Sequence, residues 1–239
     1  MWIDLREILL YLVLFLSNGM QTITGFAGTL LAMPPSIKLI GANQARALLS
    51  VVAQVNCLLI VIYNFKSINW KEFWKMLVLM VVGMVLGAWI YTDFPIHELL
   101  LFYGILIISI ALKRMFFRKK MVIPKAGMLL IILAAGIIHG MFLSGGALLV
   151  VYAASVLKEK DEFRSTIALL WVVLGCYVTG KEYTIGDYTS NVLFLTTIGI
   201  VFALAGTWVG MVLVKKVKQE LFEKITNVLL LISGILAIV

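Results

Sequence analysis

Eight long apolar segments, separated by charged or polar residues, constrain the fold of this chain more than any other feature of its sequence. They lie at about 5–33, 45–65, 73–92, 96–112, 126–157, 165–180, 190–214 and 221–239. Several reach the roughly 18–20 residues that a helix needs to cross a bilayer. Of the 239 residues, 62% are hydrophobic and only 13% are charged, so polar groups are too few to cover a soluble protein. The sequence predicts an all-α polytopic protein of the cell (cytoplasmic) membrane.

The charged residues and the missing motifs exclude several classes of function. The formal net charge is +8, but the basic residues cluster between apolar segments, where they set membrane orientation rather than bind nucleic acid. The chain has no zinc-protease, phosphate-loop or serine-hydrolase motif and no paired carboxylates. We therefore expect no enzyme activity, no catalytic residue, no metal and no cofactor.

The chain divides into two halves that resemble each other. Arg46 matches Arg164 at an offset of 118 residues, and Gly28 matches Gly146 at the same offset. The sequence "GAWI" (87–90) matches "GTWV" (206–209) at an offset of 119. Matches of Gly, Arg and Trp are rarer by chance than Leu matches in so apolar a chain. We interpret residues 1–118 and 119–239 as two repeats of one membrane domain.

The positions of Lys and Arg favour one topology for these repeats. If every segment crossed the membrane once, the 20 basic residues would divide almost evenly between the two sides. If the first segment of each half enters and returns, 16 of them lie on one side, in 64–75, 113–125, 157–164 and 215–224. Basic residues favour the cytoplasmic side. This predicts two inverted repeats, each a re-entrant or broken first segment followed by three spanning helices.

Glycine-containing breaks interrupt the first segment of each half. We place them within Asn18–Gly28 and His139–Gly146, with the returning helices starting near Gly25–Thr29 and Ser144–Leu148. Non-helical backbone at membrane depth is tolerated only when it is buried or lines a wet cavity, and glycine permits the turn. Thr24 and Ser144 are suitable N-caps. The alternative is that these glycines only allow close helix packing.

Two helix N-termini that converge at membrane depth would form an anion site, because each presents unpaired amides and a partial positive charge. Polar side chains near the breaks and inside the second span would complete this anion site. The alternative is that they form turns or make hydrogen bonds between helices. The candidate binding residues are Gln21, Thr24, Gly25, Gly28, Thr29, Gln54, Asn56, His139, Ser144, Gly145 and Gly146. His139 is also a candidate proton relay, with a structural role as the alternative.

Charges at the segment edges suggest how transport would be driven. Arg46 and Arg164 begin the spans after the breaks, where they would attract an anion or simply extend to the interface. All 12 acidic residues lie at segment edges, so no free carboxylate is expected inside a span for Na⁺ or H⁺ coupling. Because the cell interior is negative, an anion leaves without a coupling ion. The sequence favours uncoupled export by alternating access around the central site.

The two cysteines support a different function. Cys57 and Cys176 match at an offset of 119, and two such thiols facing one cavity would form a transmembrane thiol–disulfide relay. Neither has a second cysteine nearby or a neighbouring cation that would activate a thiolate. Two buried apolar thiols are the alternative.

Several motifs resemble the TauE/SafE sulfite exporter family, also called the 4-toluene sulfonate uptake permease superfamily. They are "GFAGTLLAMPPSIKLIG" (25–41), "ARA" (45–47), "INW" (68–70), "GAWI" (87–90) and "SGGALLV" (144–150). The resemblance extends over essentially the whole chain. It implies a transporter of sulfite, sulfonates or related small sulfur-containing or organic anions. The expected partners are this anion, the lipid bilayer and, as a candidate, a second copy in a homodimer.

Overall fold

The computed structural model describes residues 4–116, 124–213, 227–228, 231–232 and 234–238. These residues are helical and include no strand. The helices are α1 (Leu5–Thr24), α2 (Ala27–Ile40), α3 (Ala42–Asn64), α4 (Trp70–Asp93), α5 (Ile96–Phe116), α6 (Lys125–Phe142), α7 (Gly146–Val156), α8 (Lys160–Ile185) and α9 (Ser190–Leu213). Six of them, α1, α3, α4, α5, α8 and α9, are long and apolar enough to cross a membrane. Most of the predicted last segment, and the basic residues of 215–224, lie outside the described residues.

Both predicted breaks are present. Helix α1 ends at Gly25, which has a left-handed φ of 83° and donates its amide to the Gln21 carbonyl oxygen at 2.7 Å. Helix α6 ends at Leu143, whose φ of 53° is the single positive value for a non-glycine residue in the described part of the chain. We expected glycine to make both reversals. In the second break the left-handed position is taken by leucine, which costs about 1–3 kcal/mol of backbone strain.

Helices of the two halves pack in parallel pairs. Helix α1 packs along α9, with Tyr11 stacked on Phe202 at 5.1 Å between ring centroids. Helix α4 packs along α6, with Gly83 against Gly136 and Gly87 against Ile137. Small residues allow this close backbone approach, which is typical of helices in membranes.

Helices α3 and α8 run antiparallel at the centre and are joined at both ends. At the start of α8, the side-chain amide nitrogen of Asn69, in the segment between α3 and α4, donates to Glu162 Oε1 at 2.7 Å. At the other end, Arg46 near the start of α3 pairs with Glu182 near the end of α8.

The two short helices lead back to the ends of α8 from opposite sides. The first break lies beside Phe163 and Arg164 at the start of α8, and α2 then leads to α3 beside the end of α8. The second break lies beside Trp171 in the middle of α8, a residue that also donates to the Gly25 carbonyl oxygen of the first break. It approaches from the other side, because Arg46, which pairs near the end of α8, holds the carbonyl groups at the end of α6. Helix α7 then returns to the start of α8, and its Tyr152 hydroxyl donates to Glu72 of α4.

The contact between α4 and α6 gives a first testable prediction. A Cβ atom on Gly87 would lie 2.8 Å from the carbonyl carbon of Ile137, a backbone atom that cannot rotate away. We expect Gly87→Leu to destabilise the protein by about 3 kcal/mol, because overpacking against backbone is not relieved by side-chain movement. Thermal unfolding in detergent micelles, followed by gel filtration, measures the loss. Val85→Leu on the exposed face of the same helix is the control; equal stability of the two variants would contradict the prediction.

Candidate functional site

The two breaks meet in the interior of the protein. The Thr29 hydroxyl of α2 donates to the Leu143 carbonyl oxygen in the second break at 2.5 Å. A Cβ atom on Gly146 would lie 2.9 Å from both the carbonyl oxygen and the Cβ of Phe26. The N-terminal ends of α2 and α7 are therefore neighbours.

The amides at the start of α2 already have acceptors. Thr24 Oγ1 accepts from the Ala27 amide at 3.1 Å. The N-cap position itself is Phe26, so Thr24 accepts from the start of α2 without being the N-cap residue that we predicted. Gln21 Oε1 accepts from the Gly28 amide at 2.7 Å. Because these acceptors come from α1 and the break itself, the start of α2 is less exposed to a ligand than we expected.

The start of α7 differs from that of α2. Ser144 does not cap it, because its hydroxyl donates to the Phe142 carbonyl oxygen at 2.8 Å; that prediction is wrong. Within the described ranges, no side chain accepts a hydrogen bond from the amides of Gly146, Ala147 or Leu148. We expected two helix N-termini with free amides. Among the described residues, the amides at the start of α7 have no side-chain acceptor, whereas those at the start of α2 do.

A small cavity lies where the two breaks meet. Its volume is about 20 Å³, which is room for a single water molecule. Its polar side chains are Gln21, Thr29, Ser50, Gln54 and His139. The rest of the lining is Gly146, Trp171, Cys57, Gly175, Phe26, Ala53 and Leu143. None of these side chains is acidic. A smaller cavity of about 10 Å³ also includes Gln21 and Thr29 in its lining and adds Gly28.

His139 is the most distinctive side chain of this cavity. It is 4% exposed and stacks on Trp171 with 4.9 Å between ring centroids. Neither ring nitrogen has a hydrogen-bond partner among the residues that the structure describes. A buried polar group without a partner costs about 1–3 kcal/mol, and a bound ligand that accepts its hydrogen bond recovers this cost.

Six predicted binding residues do not line the central cavity, and of these only Gly28 lines the smaller one: Thr24, Gly25, Gly28, Asn56, Ser144 and Gly145. Asn56 illustrates the reason. Its amide nitrogen donates to Asn18 Oδ1 at 3.1 Å and to Thr207 Oγ1 at 2.7 Å, so it joins α3 to α1 and α9. It has the structural role that we kept as the alternative.

The sequence reasoning missed Ser50 and Trp171 as cavity residues. Ser50 precedes Gln54 by four residues and Cys57 by seven, a spacing that places all three on one face of α3. Trp171 and Gly175 have the same four-residue spacing on α8. A search for polar or small residues that share a face with Gln54 would have found Ser50.

Arg46 does not lie at an open entrance. Its side chain is 2% exposed and pairs with Glu182, with 3.0 Å between Nη2 and Oε1. Its Nη1 donates to the carbonyl oxygens of Gly140 and Met141 at the end of α6. The acidic partner was not expected, since we placed every carboxylate at a solvated segment edge; Glu182 is near the end of α8 but is 3% exposed.

Arg164 has a different environment from Arg46. Its closest acid is Asp161, 4.0 Å away and 63% exposed. Its Nε is buried without a hydrogen-bond partner in the described ranges. The two arginines that match in sequence are therefore not equivalent in charge compensation.

The two cysteines do not face a common cavity. Cys57 is buried beside Gln21 in the lining of the central cavity, whereas Cys176 is exposed on the outer surface of α8. Exchange between thiols requires direct approach of the two sulfur atoms. The placement gives no support to the thiol–disulfide relay.

Comparison with known proteins identifies the family of the chain. The family described as "Sulfite exporter TauE/SafE" matches residues 10–237, a range that includes both breaks and every residue lining the cavity. No curated protein and no solved structure matches the chain. With its six long apolar helices, the chain is a multi-pass membrane protein that belongs to the sulfite exporter TauE/SafE family of transporters, which are not enzymes.

Proposed function

We propose that this protein exports small sulfur-containing anions, such as sulfite or organosulfonates, and binds them in the cavity between the two breaks. The observation that carries the proposal is the unpartnered ring nitrogens of His139 in the lining of that cavity. The start of α7, whose amides no side chain occupies, adds its partial positive charge, whereas the Thr29 hydroxyl and the Gln54 amide nitrogen already donate to Leu143 and Thr179. The absence of acidic side chains from this lining favours an anion over a cation.

We infer that the two halves, 1–118 and 119–239, are inverted repeats that move against each other. The contacts that support this are exchanged between the halves: α1 packs on α9 as α6 packs on α4. The first hairpin returns to the end of α8 and the second to its start. Inverted repeats around a central site are a recurrent basis of alternating access.

The size of the cavity suggests which state the structure represents. A space of about 20 Å³ admits a water molecule but not a sulfite ion with its three oxygen atoms. The walls must therefore separate before the anion binds. This is consistent with a closed state in a cycle of rocking movements.

The charge distribution supports uncoupled export. The buried carboxylate of Glu182 is neutralised by Arg46 and lies outside the cavity lining. Each negative charge that leaves a cell gains about 2.3 kcal/mol per 100 mV of membrane potential. Export along this potential needs no coupling ion.

Flux measurement in liposomes tests the proposal. Proteoliposomes loaded with sulfite, with a potassium gradient and valinomycin setting the potential, should release sulfite faster when the interior is negative. An increase of 100 mV changes the driving force on a monovalent anion by about 2.3 kcal/mol, so a clear acceleration is expected. Appearance of sulfite outside is measured against protein-free liposomes.

Two outcomes would contradict the proposal in different ways. Flux that requires a pH gradient and ignores the potential would refute uncoupled export but retain the transporter. Release no faster than from protein-free liposomes, for sulfite, thiosulfate and methanesulfonate alike, would refute anion transport itself.

A further inference from the structure

A second cleft, separate from the central cavity, lies at the start of α8. It has a volume of about 270 Å³ and is lined by Arg164, Asn64, Thr22 and Thr207, among others. It lies where α3 and α9 end and α8 begins, and its other lining residues are Leu59, Ile60, Tyr63 and Met211. The cleft is large enough for a small oxyanion and is much larger than the central cavity.

Arg164 gives this cleft a poorly compensated positive charge. Its side chain is 12% exposed, and Nε has no hydrogen-bond partner among the described residues. Asp161 is at 4.0 Å, the outer limit of an ion pair, and is mostly in solvent. A carboxylate that is largely in solvent and at this distance neutralises little of the charge of Arg164.

At the opposite end of the protein, the charge of the matching arginine is fully compensated. There the matching Arg46 is held by Glu182 and by two carbonyl oxygens. The offset of 118 that relates Arg46 to Arg164 relates Glu182 to Asn64. The first half therefore has an uncharged amide where the second half has the neutralising acid.

We propose that this cleft is an anion-binding vestibule, in which Arg164 holds a small sulfonate or sulfite ion before it reaches the central cavity. As a transport step the inference rests on the proposed export of anions. The basic residues of 64–75 and 157–164, the segments that contain Asn64 and Arg164, place the cleft on the cytoplasmic side in the topology that we propose. This is the side from which an exporter takes its substrate. The guanidinium group recognises the paired oxygens of a sulfonate or sulfite ion.

Cysteine labelling tests the charge of the cleft without requiring transport. In a Cys57→Ser, Cys176→Ser background, Asn64→Cys places a reporter thiol in the cleft. Its reaction with anionic sulfonatoethyl methanethiosulfonate is compared with that of a neutral methanethiosulfonate in detergent. We expect Arg164 to accelerate the anionic reagent about 5- to 10-fold, the effect of one nearby unit charge at intermediate dielectric. Arg164→Gln should abolish this preference, and Arg164→Lys should retain it.

Two controls make the assay specific. Asn43→Cys reports from the cleft beside Tyr91 at the opposite end, where the arginine is neutralised. It should show no dependence on Arg164. Methanesulfonate, which does not cleave the mixed disulfide as sulfite would, should slow the anionic reagent at Asn64→Cys when Arg164 is present and have no effect in Arg164→Gln.

The transport assay separates this inference from the proposed function. We expect Arg164→Gln to raise the KM for sulfite on the vestibule side about 5- to 10-fold, with an unchanged maximal rate and less dependence on ionic strength. Wild-type flux without any labelling preference would overturn the vestibule and leave the transporter. A labelling preference without any flux would support the anion site and refute transport. A lower maximal rate with an unchanged KM would assign Arg164 a purely structural role.

Discussion

Glu182→Gln is expected to lower the free energy of unfolding by about 3–5 kcal/mol, the usual cost of removing one partner from a buried ion pair. The change leaves the Arg46 guanidinium, 2% exposed, without a counter-charge. It also loosens the contact through which Arg46 holds the carbonyl groups of Gly140 and Met141 at the end of α6. Chemical or thermal unfolding of the purified protein in detergent measures the loss.

The double variant Arg46→Met, Glu182→Leu tests the reason for this loss. Because no charge remains buried, we expect it to be more stable than either Arg46→Met or Glu182→Leu alone. Asp161→Asn removes the acid nearest to the matching Arg164 and serves as the control. That carboxylate is 63% exposed, so its loss should change stability by no more than about 1 kcal/mol. Equal losses of unfolding free energy in Glu182→Gln and Asp161→Asn would show that burial of the ion pair does not raise the cost of removing its acid.

His139→Phe is expected to reduce sulfite flux about 10- to 100-fold. Phenylalanine retains a ring for stacking on Trp171 but removes both unpartnered nitrogens of this cavity-lining side chain. A hydrogen bond to a charged group contributes about 1.5–3 kcal/mol, and each 1.4 kcal/mol is a factor of ten in affinity. Thermal stability should be unchanged or higher, since an unsatisfied buried polar group disappears.

Two further variants separate a hydrogen-bond donor from a proton relay at this position. His139→Gln keeps a donor but does not titrate near neutral pH, so it should retain much of the flux if His139 only donates a hydrogen bond. Loss of flux in His139→Gln, with loss of its pH dependence, would instead assign proton transfer to His139. His97→Phe, which changes the other histidine in an exposed part of α5, should transport like the wild type. Wild-type flux in His139→Phe would remove His139 from the binding site.

The membrane-spanning helices and the two breaks are predictable from the sequence because their causes are local. A span needs a run of apolar residues of a given length, and a break needs residues that interrupt the helix. The predicted returning helices near Gly25–Thr29 and Ser144–Leu148 begin at Ala27 and Gly146. The role of Thr24 as an acceptor at the start of α2 is local in the same way, since its donor, the Ala27 amide, lies three positions away.

Long-range contacts decided which polar side chains reach the cavity. Asn56 and Gln54 are two residues apart on α3, so they point to different faces; Asn56 meets Asn18 and Thr207, and Gln54 lines the cavity. The sequence shows that both are polar and intramembrane, but not which neighbour each face meets. The hydrogen-bond acceptor of the Ser144 hydroxyl could not be predicted either, because it depends on the conformation of the turn after Phe142.

The sequence by itself determined that the chain is a membrane protein whose apolar segments are interrupted at two places, since hydrophobic length and helix-breaking residues act locally. Only the tertiary structure decided that the matching arginines differ. Arg46 is neutralised by Glu182, 136 positions away along the chain, and Arg164 faces a cleft in which Asn64 occupies the corresponding place. Electrostatic energy depends on distance and burial in space, and these are fixed only when distant segments pack together.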